Sequence, residues 1–212
     1  LTDAYVANGS GAFRLPDLNE YPAINPPYVP EEMKGEWTPY MRAENGTRYW
    51  AVPGTEGFMH RLGGLEKDYN TSAISTDPNN HEKMVATRQE KVNKIANNIP
   101  AQQVQGNPDA DTLLIGWGGT YGHLYTAVEE LNAAGKPVAF AHFRYINPLP
   151  ANTAEIIKKY KNVVVAELNN GQFADFLQAK FPMVNIKRIN KVQGQPFLVQ
   201  EVVEGLTKIM EG

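Results

Sequence analysis

The stretch Thr112 to Gly122, TLLIGWGGTYG, passes from a continuous apolar run into clustered glycines at the point where an amphipathic pattern begins. A buried strand, a tight turn and a helix start, in that order, form the opening unit of a parallel α/β sheet. Gly116, Gly118 and Gly122 would also let backbone approach a phosphate at a helix N-terminus. A dinucleotide site further requires a ribose-binding acid near the end of the next strand, Val138 to Ala141. His142, Phe143 and Arg144 stand there instead, so the glycines alone do not specify a dinucleotide.

The residues that follow repeat the alternation. A helix over about 120–134 buries Leu124, Val128 and Leu131 and stops at Gly135. Strands over 138–141, 163–166 and 185–189 alternate with helices over 152–160, 171–181 and 196–210, and Asn152 with Glu155 has the spacing of a capping-box variant. Helices of this length between strands imply right-handed crossovers. The expected fold is therefore a three-layer α/β/α domain with a mostly parallel sheet of about five strands. Its first strand, over 102–105, is short and antiparallel and turns at Gly106-Asn107-Pro108.

Upstream the texture differs. Asp77 is a suitable N-cap and Pro78 suits the first helical position. Met84, Val85, Val92, Ile95, Ala96 and Ile99 then form one apolar stripe, ended by Asn98 and Pro100. Before that helix come Pro16, Pro22, Pro26, Pro27, Pro30, Pro39 and Pro53, interspersed with Tyr5, Phe13, Tyr21, Tyr28, Trp37, Tyr40, Tyr49 and Trp50. Proline fixes φ and removes a backbone donor, so regular structure is hard to sustain there. So many large aromatics in an extended segment imply an arm laid over a surface rather than a disordered linker.

Composition excludes several classes. A net charge of -3, from 20 basic and 23 acidic residues, provides no broad basic field for nucleic acid. The chain has 0 cysteines, which rules out disulfides, thiolate zinc sites and an iron–sulfur cluster held by its own ligands. No apolar run reaches the ~18–20 residues that span a bilayer, and Leu1-Thr2-Asp3 does not resemble a signal peptide. A cytoplasmic protein is expected. The missing initiator methionine and abrupt apolar start suggest a fragment of a longer polypeptide, although processing or a trimmed tag would look the same.

Ligands and partners of an open parallel sheet meet the loops beyond the carboxyl ends of its strands. That rim collects Trp117, Gly118, Gly119, Thr120 and Tyr121, then His142 to Asn147 with Arg144, then Glu167 to Gln172, then Lys191 to Gln195 with Gln193. One reading is an anion or partner site on the helix start at Thr120, with Arg144 and Lys191 supplying charge. The other is a set of caps and turns, which asparagine and glycine favour anyway. His60 and Arg61 precede a second candidate, the loop Gly63 to Asp68, where adjacent glycines and charges could meet a neighbour or simply make a turn. His60, His81, His123 and His142 lack the spacing of metal ligands. Nothing has the form of a self-sufficient catalytic site.

Seven segments taken together carry a resemblance: DAYVANGS (3–10), HRLGGLEKD (60–68), DPNNHEKMVATRQEK (77–91), GWGGTYG (116–122), HFRYINPLPAN (142–152), ELNNGQ (167–172) and KVQGQPF (191–197). The chain resembles the α subunit of 2-oxoacid:ferredoxin oxidoreductases, most closely the 2-oxoglutarate type, in colinear order over essentially its whole length. The resemblance implies the end of a thiamine-pyrimidine domain (Leu1 to Ala4) and a connecting arm over 1–60, then a domain over 61–212 similar to the transketolase C-terminal domain. It further implies a whole enzyme using thiamine diphosphate, magnesium and an iron–sulfur cluster, with coenzyme A and ferredoxin as substrates. Its expected partners are a β subunit and the missing pyrimidine domain. The cofactor and catalytic positions of such enzymes fall outside this chain, so no catalytic or cofactor-binding residue carries over. The expected role is structural and intersubunit, with one wall of a substrate or coenzyme A channel as an addition. Three rivals stand beside it: a free-standing nucleotide-binding α/β domain, the C-terminal domain of a transketolase or 2-oxoacid dehydrogenase, and a pure interaction module that never completes an enzyme.

Overall fold

The computed structural model describes residues 15–212, so the expectations for Leu1 to Ala4, Asp3 to Ser10 and Phe13 lie outside the described residues. These residues fall into two compact units that divide between Asn98 and Ile99.

The second unit is the α/β domain. Strands β1 (Gln105–Gly106), β2 (Thr112–Trp117), β3 (Val138–Phe143), β4 (Asn162–Glu167) and β5 (Ile186–Asn190) form one sheet in the order β1-β3-β2-β4-β5. Only β1 runs antiparallel, against β3; the other pairs are parallel, with Leu113 in register with Ala139 and Val163. Both faces are covered, so strand residues are apolar without alternating with polar ones. Leu113, Ile115, Ala141 and Val165 pack on one side with α3 (Thr153–Lys159) and α4 (Gln172–Lys180), through Ile157, Phe173 and Leu177. Leu114, Phe140 and Val164 pack on the other with α2 (Tyr121–Ala133) and α5 (Val199–Glu211), through Leu124, Val128 and Leu206. The expected three-layer architecture is thus observed.

Two glycines matter to this arrangement, one through packing and one through backbone conformation. A β-carbon on Gly116 would lie 2.3 Å from Leu124 Cδ1, so its absence is what lets α2 sit close on β2. Gly135 takes φ 75° and ends α2, with the Lys136 amide donating to the Leu131 carbonyl, in the manner of a left-handed helix stop.

Asn152 corrects one expectation. Its side chain makes no cap bond to α3. Instead its Oδ1 accepts from the Gln102 amide at 2.8 Å and its Nδ2 donates to the Gln102 carbonyl at 3.0 Å. With both backbone groups of Gln102 taken, ladder pairing starts further along the chain than expected, at Gln105.

The other unit, through Asn98, has little regular structure before its helix. It contains 3-10 turns at Leu18–Glu20 and Glu31–Met33, and isolated bridges join Tyr28 to Trp50, Arg42 to Arg48 and Lys67 to Ile74. Helix α1 (Pro78–Lys94) begins as its sequence requires, with Pro78 in the first turn and Asp77 accepting the Asn79 amide, and continues as the 3-10 turn Ile95–Asn98. Its apolar stripe is not buried as a whole: Met84 is 2% exposed, whereas Val85 and Ile95 are 47% and 45% exposed. Among the described residues, no helix is long and apolar enough to cross a membrane.

Candidate functional site

The strand order reverses at β2, because β2 connects outward to β3 on one side and the chain then returns to β4 on the other. A crevice opens at the carboxyl ends of the strands at such a switch point. Here it is a cleft of about 330 Å³ lined by Trp117, Gly118, Gly119, Thr120, Leu168, Asn169, Lys191, Gly194, Gln195 and Pro196. Gly118, at φ 60°, starts the 3-10 turn Gly118–Thr120 ahead of α2, and Thr120 Oγ1 closes that turn on the Trp117 carbonyl at 2.8 Å.

Glu167, at the end of β4, organises the floor. Its side chain is fully buried, and it accepts the Phe173 and Ala174 amides at 2.9 Å each, Trp117 Nε1 at 3.0 Å and Asn169 Nδ2 at 3.0 Å. A carboxylate bonded to amides of the first turn of α4 also meets the positive end of that helix. Asn169 Oδ1 in turn accepts the Gly171 and Gln172 amides at 2.7 and 2.9 Å. All four contacts on Glu167 are structural, three on Oε2 and one on Oε1, so the carboxylate is committed to holding the floor together.

Lys191 does not supply free charge to this rim, against the first of the two readings of the rim. Its ammonium, nearly buried, is bonded to both Glu201 oxygens at 2.8 and 2.7 Å. Glu201 also accepts the Leu198 amide at 2.8 Å, the returning half of a capping box for α5. The Lys191 ammonium, with the Leu198 amide, holds the Glu201 carboxyl below its usual range.

On the far side of β2, at the end of β3, lies a second cleft of about 490 Å³. Its lining includes Gln102, Gln103, Tyr121, His142, Arg144 and Tyr145 and contains no carboxylate. Tyr121 stacks on Tyr125 with ring centroids 5.7 Å apart, meets His142 edge-on at 5.1 Å, and donates its hydroxyl to Gln105 Oε1 at 3.3 Å.

The sequence candidates therefore separate. Gly118, Gly119, Thr120 and Lys191 line the switch-point cleft; Tyr121, His142 and Arg144 line the other; and Gln193 is exposed and lines neither. His60 and Arg61 belong to the first unit, where His60 Nδ1 lies 2.8 Å from the Phe58 carbonyl and the ring meets Trp37 edge-on at 5.0 Å. Glu167 had been placed on the rim only by position. Its four-way role depends on α4 folding back over β4, and a lone glutamate ending an apolar run was the one signal of it.

An α/β/α domain of this topology also matches in sequence: residues 110–202 match the family described as pyruvate:ferredoxin oxidoreductase core domain II. The chain is 42% identical over 95% of its length to the 2-oxoglutarate oxidoreductase subunit KorA of Mycobacterium tuberculosis, covering 30% of that protein. It is 30% identical over 65% of its length to the α subunit of 2-oxoacid:ferredoxin oxidoreductase 1 of Aeropyrum pernix, covering 22% of it. The structure of 2-oxoglutarate:ferredoxin oxidoreductase from Magnetococcus marinus, solved with 2-oxoglutarate, coenzyme A and succinyl-CoA bound, superimposes with a TM-score of 0.79. That alignment covers 91% of this chain and 34% of the solved one, at 27% identity. The α/β unit is thus a core domain of the 2-oxoacid oxidoreductase class. The chain as a whole is similar to α subunits of 2-oxoacid:ferredoxin oxidoreductases and spans about a third or less of the relatives named here.

Proposed function

We propose that this chain is the scaffolding portion of an α subunit in a thiamine-diphosphate-dependent 2-oxoacid:ferredoxin oxidoreductase. Such an enzyme, with 2-oxoglutarate as its favoured substrate, oxidatively decarboxylates the 2-oxoacid to an acyl-CoA and reduces ferredoxin. The observation that carries this reading is the 42% identity to a 2-oxoglutarate oxidoreductase subunit across 95% of the chain. Residues 1–60 would complete a pyrimidine-binding domain and connect onward as an arm, with residues 61–212 continuing into the transketolase-like part. In the folded chain the segment through Asn98 groups with the arm.

The residues of this chain do not fit the iron–sulfur cluster of such an enzyme. An iron–sulfur cluster needs thiolates, and the chain has 0 cysteines. Among the described residues, no group of three His, Asp or Glu side chains could hold a metal ion. Glu167 and Lys191 are committed to internal bonds. The chain's part is to shape and pack: its two rim clefts form walls against a β subunit, the pyrimidine domain or the channel between them, in a cytoplasmic complex.

The test is reconstitution of the full-length subunit with a cysteine-containing, thiamine-diphosphate-binding partner. Coenzyme A-dependent reduction of ferredoxin by 2-oxoglutarate, faster than with pyruvate, is expected from the complex, and no turnover from residues 1–212 alone. Turnover by the isolated chain, or a full complex inert toward every 2-oxoacid, would overturn the proposal.

A further inference from the structure

The loop Gly63 to Lys67 contains a cation whose partners are unusual. Lys67 is 4% exposed, yet its ammonium donates only to backbone carbonyls, that of Gly63 at 3.2 Å and that of Leu65. Buried charges are ordinarily paired with opposite charge, because carbonyl dipoles recover only part of the lost hydration. Neither nearby acid is available. Glu66 is engaged by His81 and by Arg88 at 3.5 Å, and Asp68 accepts the Asn70 and Thr71 amides and the Thr71 hydroxyl of its own turn.

Further cations crowd the same place. Arg42 bonds only the Tyr40 carbonyl at 2.9 Å and Met84 Sδ at 3.5 Å. Its guanidinium lies 4.8 Å from the Tyr69 ring centroid, with Lys83 Nζ 3.7 Å from the same centroid. Arg48 covers the Tyr40 ring at 4.7 Å. Beside Lys67 lies a depression of about 320 Å³ whose lining includes Tyr40, Leu65, Met84 and the charged residues Lys67, Arg88 and Glu66, so that the two cations outnumber the one carboxylate. Leu65 in its lining is 65% exposed, and Leu62, next in the chain to the lining residue Gly63, is 57% exposed.

We propose that this depression receives an aspartate or glutamate side chain from an apolar segment of a partner polypeptide, the carboxylate meeting Lys67 and Arg88 while the segment covers Leu62 and Leu65. Excess positive charge selects an anion, and the apolar margin selects a polypeptide over a free oxyanion. This deepens the assembly role proposed above and rests on it.

The test uses the reconstituted full-length complex. Carbodiimide activation should join Lys67 to an aspartate or glutamate on another chain, located by peptide mass spectrometry. Lys67→Met should weaken association of the subunits by about tenfold or more, the size expected when one member of a buried charge pair is lost. Leu65→Asp alters an exposed side chain and so spares folding; it fills the depression with the chain's own carboxylate and should weaken association comparably. The inference is overturned by association unchanged in Leu65→Asp together with absence of the cross-link. It is equally overturned if inorganic phosphate binds saturably at Lys67 without competing with assembly. A wild-type complex that still reduces ferredoxin in either case confines the failure to this surface, whereas a complex that neither forms nor reacts removes the functional proposal itself.

Discussion

The two units solve the problem of burial differently. In the α/β domain, Leu113, Leu114, Ile115, Phe140 and Val163 to Val165 have no exposure, and helices cover both faces of the sheet. Between residues 15 and 98 only Phe58 and Met84 are buried apolar residues, while Ile24, Trp50, Met59 and Ile74 are 91%, 55%, 97% and 56% exposed. One unit carries its own core. The other presents apolar surface on a scale that soluble chains normally cover with another surface.

That contrast can be broken most directly by paired truncations in the full-length subunit. Phe140→Ala should cost about 3–5 kcal/mol in chemical denaturation, as aromatic truncations in closed cores do. Trp50→Ala should fall within about 0.5 kcal/mol for the unassembled subunit, as exposed sites do. Equal losses would abolish the distinction. Glu167→Ala comes next, at roughly 3 kcal/mol, because it strands two buried amides and the Trp117 indole donor. Glu167→Gln should lose less, and amide hydrogen exchange at Phe173 and Ala174 would show whether the first turn of α4 frays.

Asn152→Ala should cost about 1–2 kcal/mol through the two lost bonds to Gln102. The smallest expected effect concerns acid. The Glu201 carboxyl titrates below its ordinary value in the folded chain, so its contribution to stability is fully present above the unfolded pKa of ~4.3 and is lost as pH falls through the lower folded value. A melting-temperature difference between the native protein and Glu201→Gln should therefore exist at neutral pH and shrink on acidification below about 4. A difference that grows on acidification would contradict the Lys191–Glu201 geometry.

The order of elements in the α/β unit was legible because each strand is an apolar run and each helix an amphipathic one, and a sheet with helices on both faces is the simplest way to bury both. What local pattern could not convey were bonds between residues distant in sequence. Asn152 precedes Glu155 with the spacing of a cap, but its partner is Gln102, and no window of a few turns contains both. Lys191 read as free charge on a loop until α5 brought Glu201 against it. The stripe on α1 was visible as a period, yet a period states which residues share a face and not what lies opposite them. The glycine cluster at the end of β2 read as a tight turn, which says nothing of what packs against it. The close approach of Leu124 to Gly116 now gives one of these glycines a packing reason.

Trp117 stands at the boundary between floor and opening: its indole nitrogen is fastened to Glu167 while the residue also lines the switch-point cleft. With Trp37 and Trp50 replaced by phenylalanine, one tryptophan would remain in this chain. Its emission would then give an optical record of anything entering that crevice during assembly or turnover.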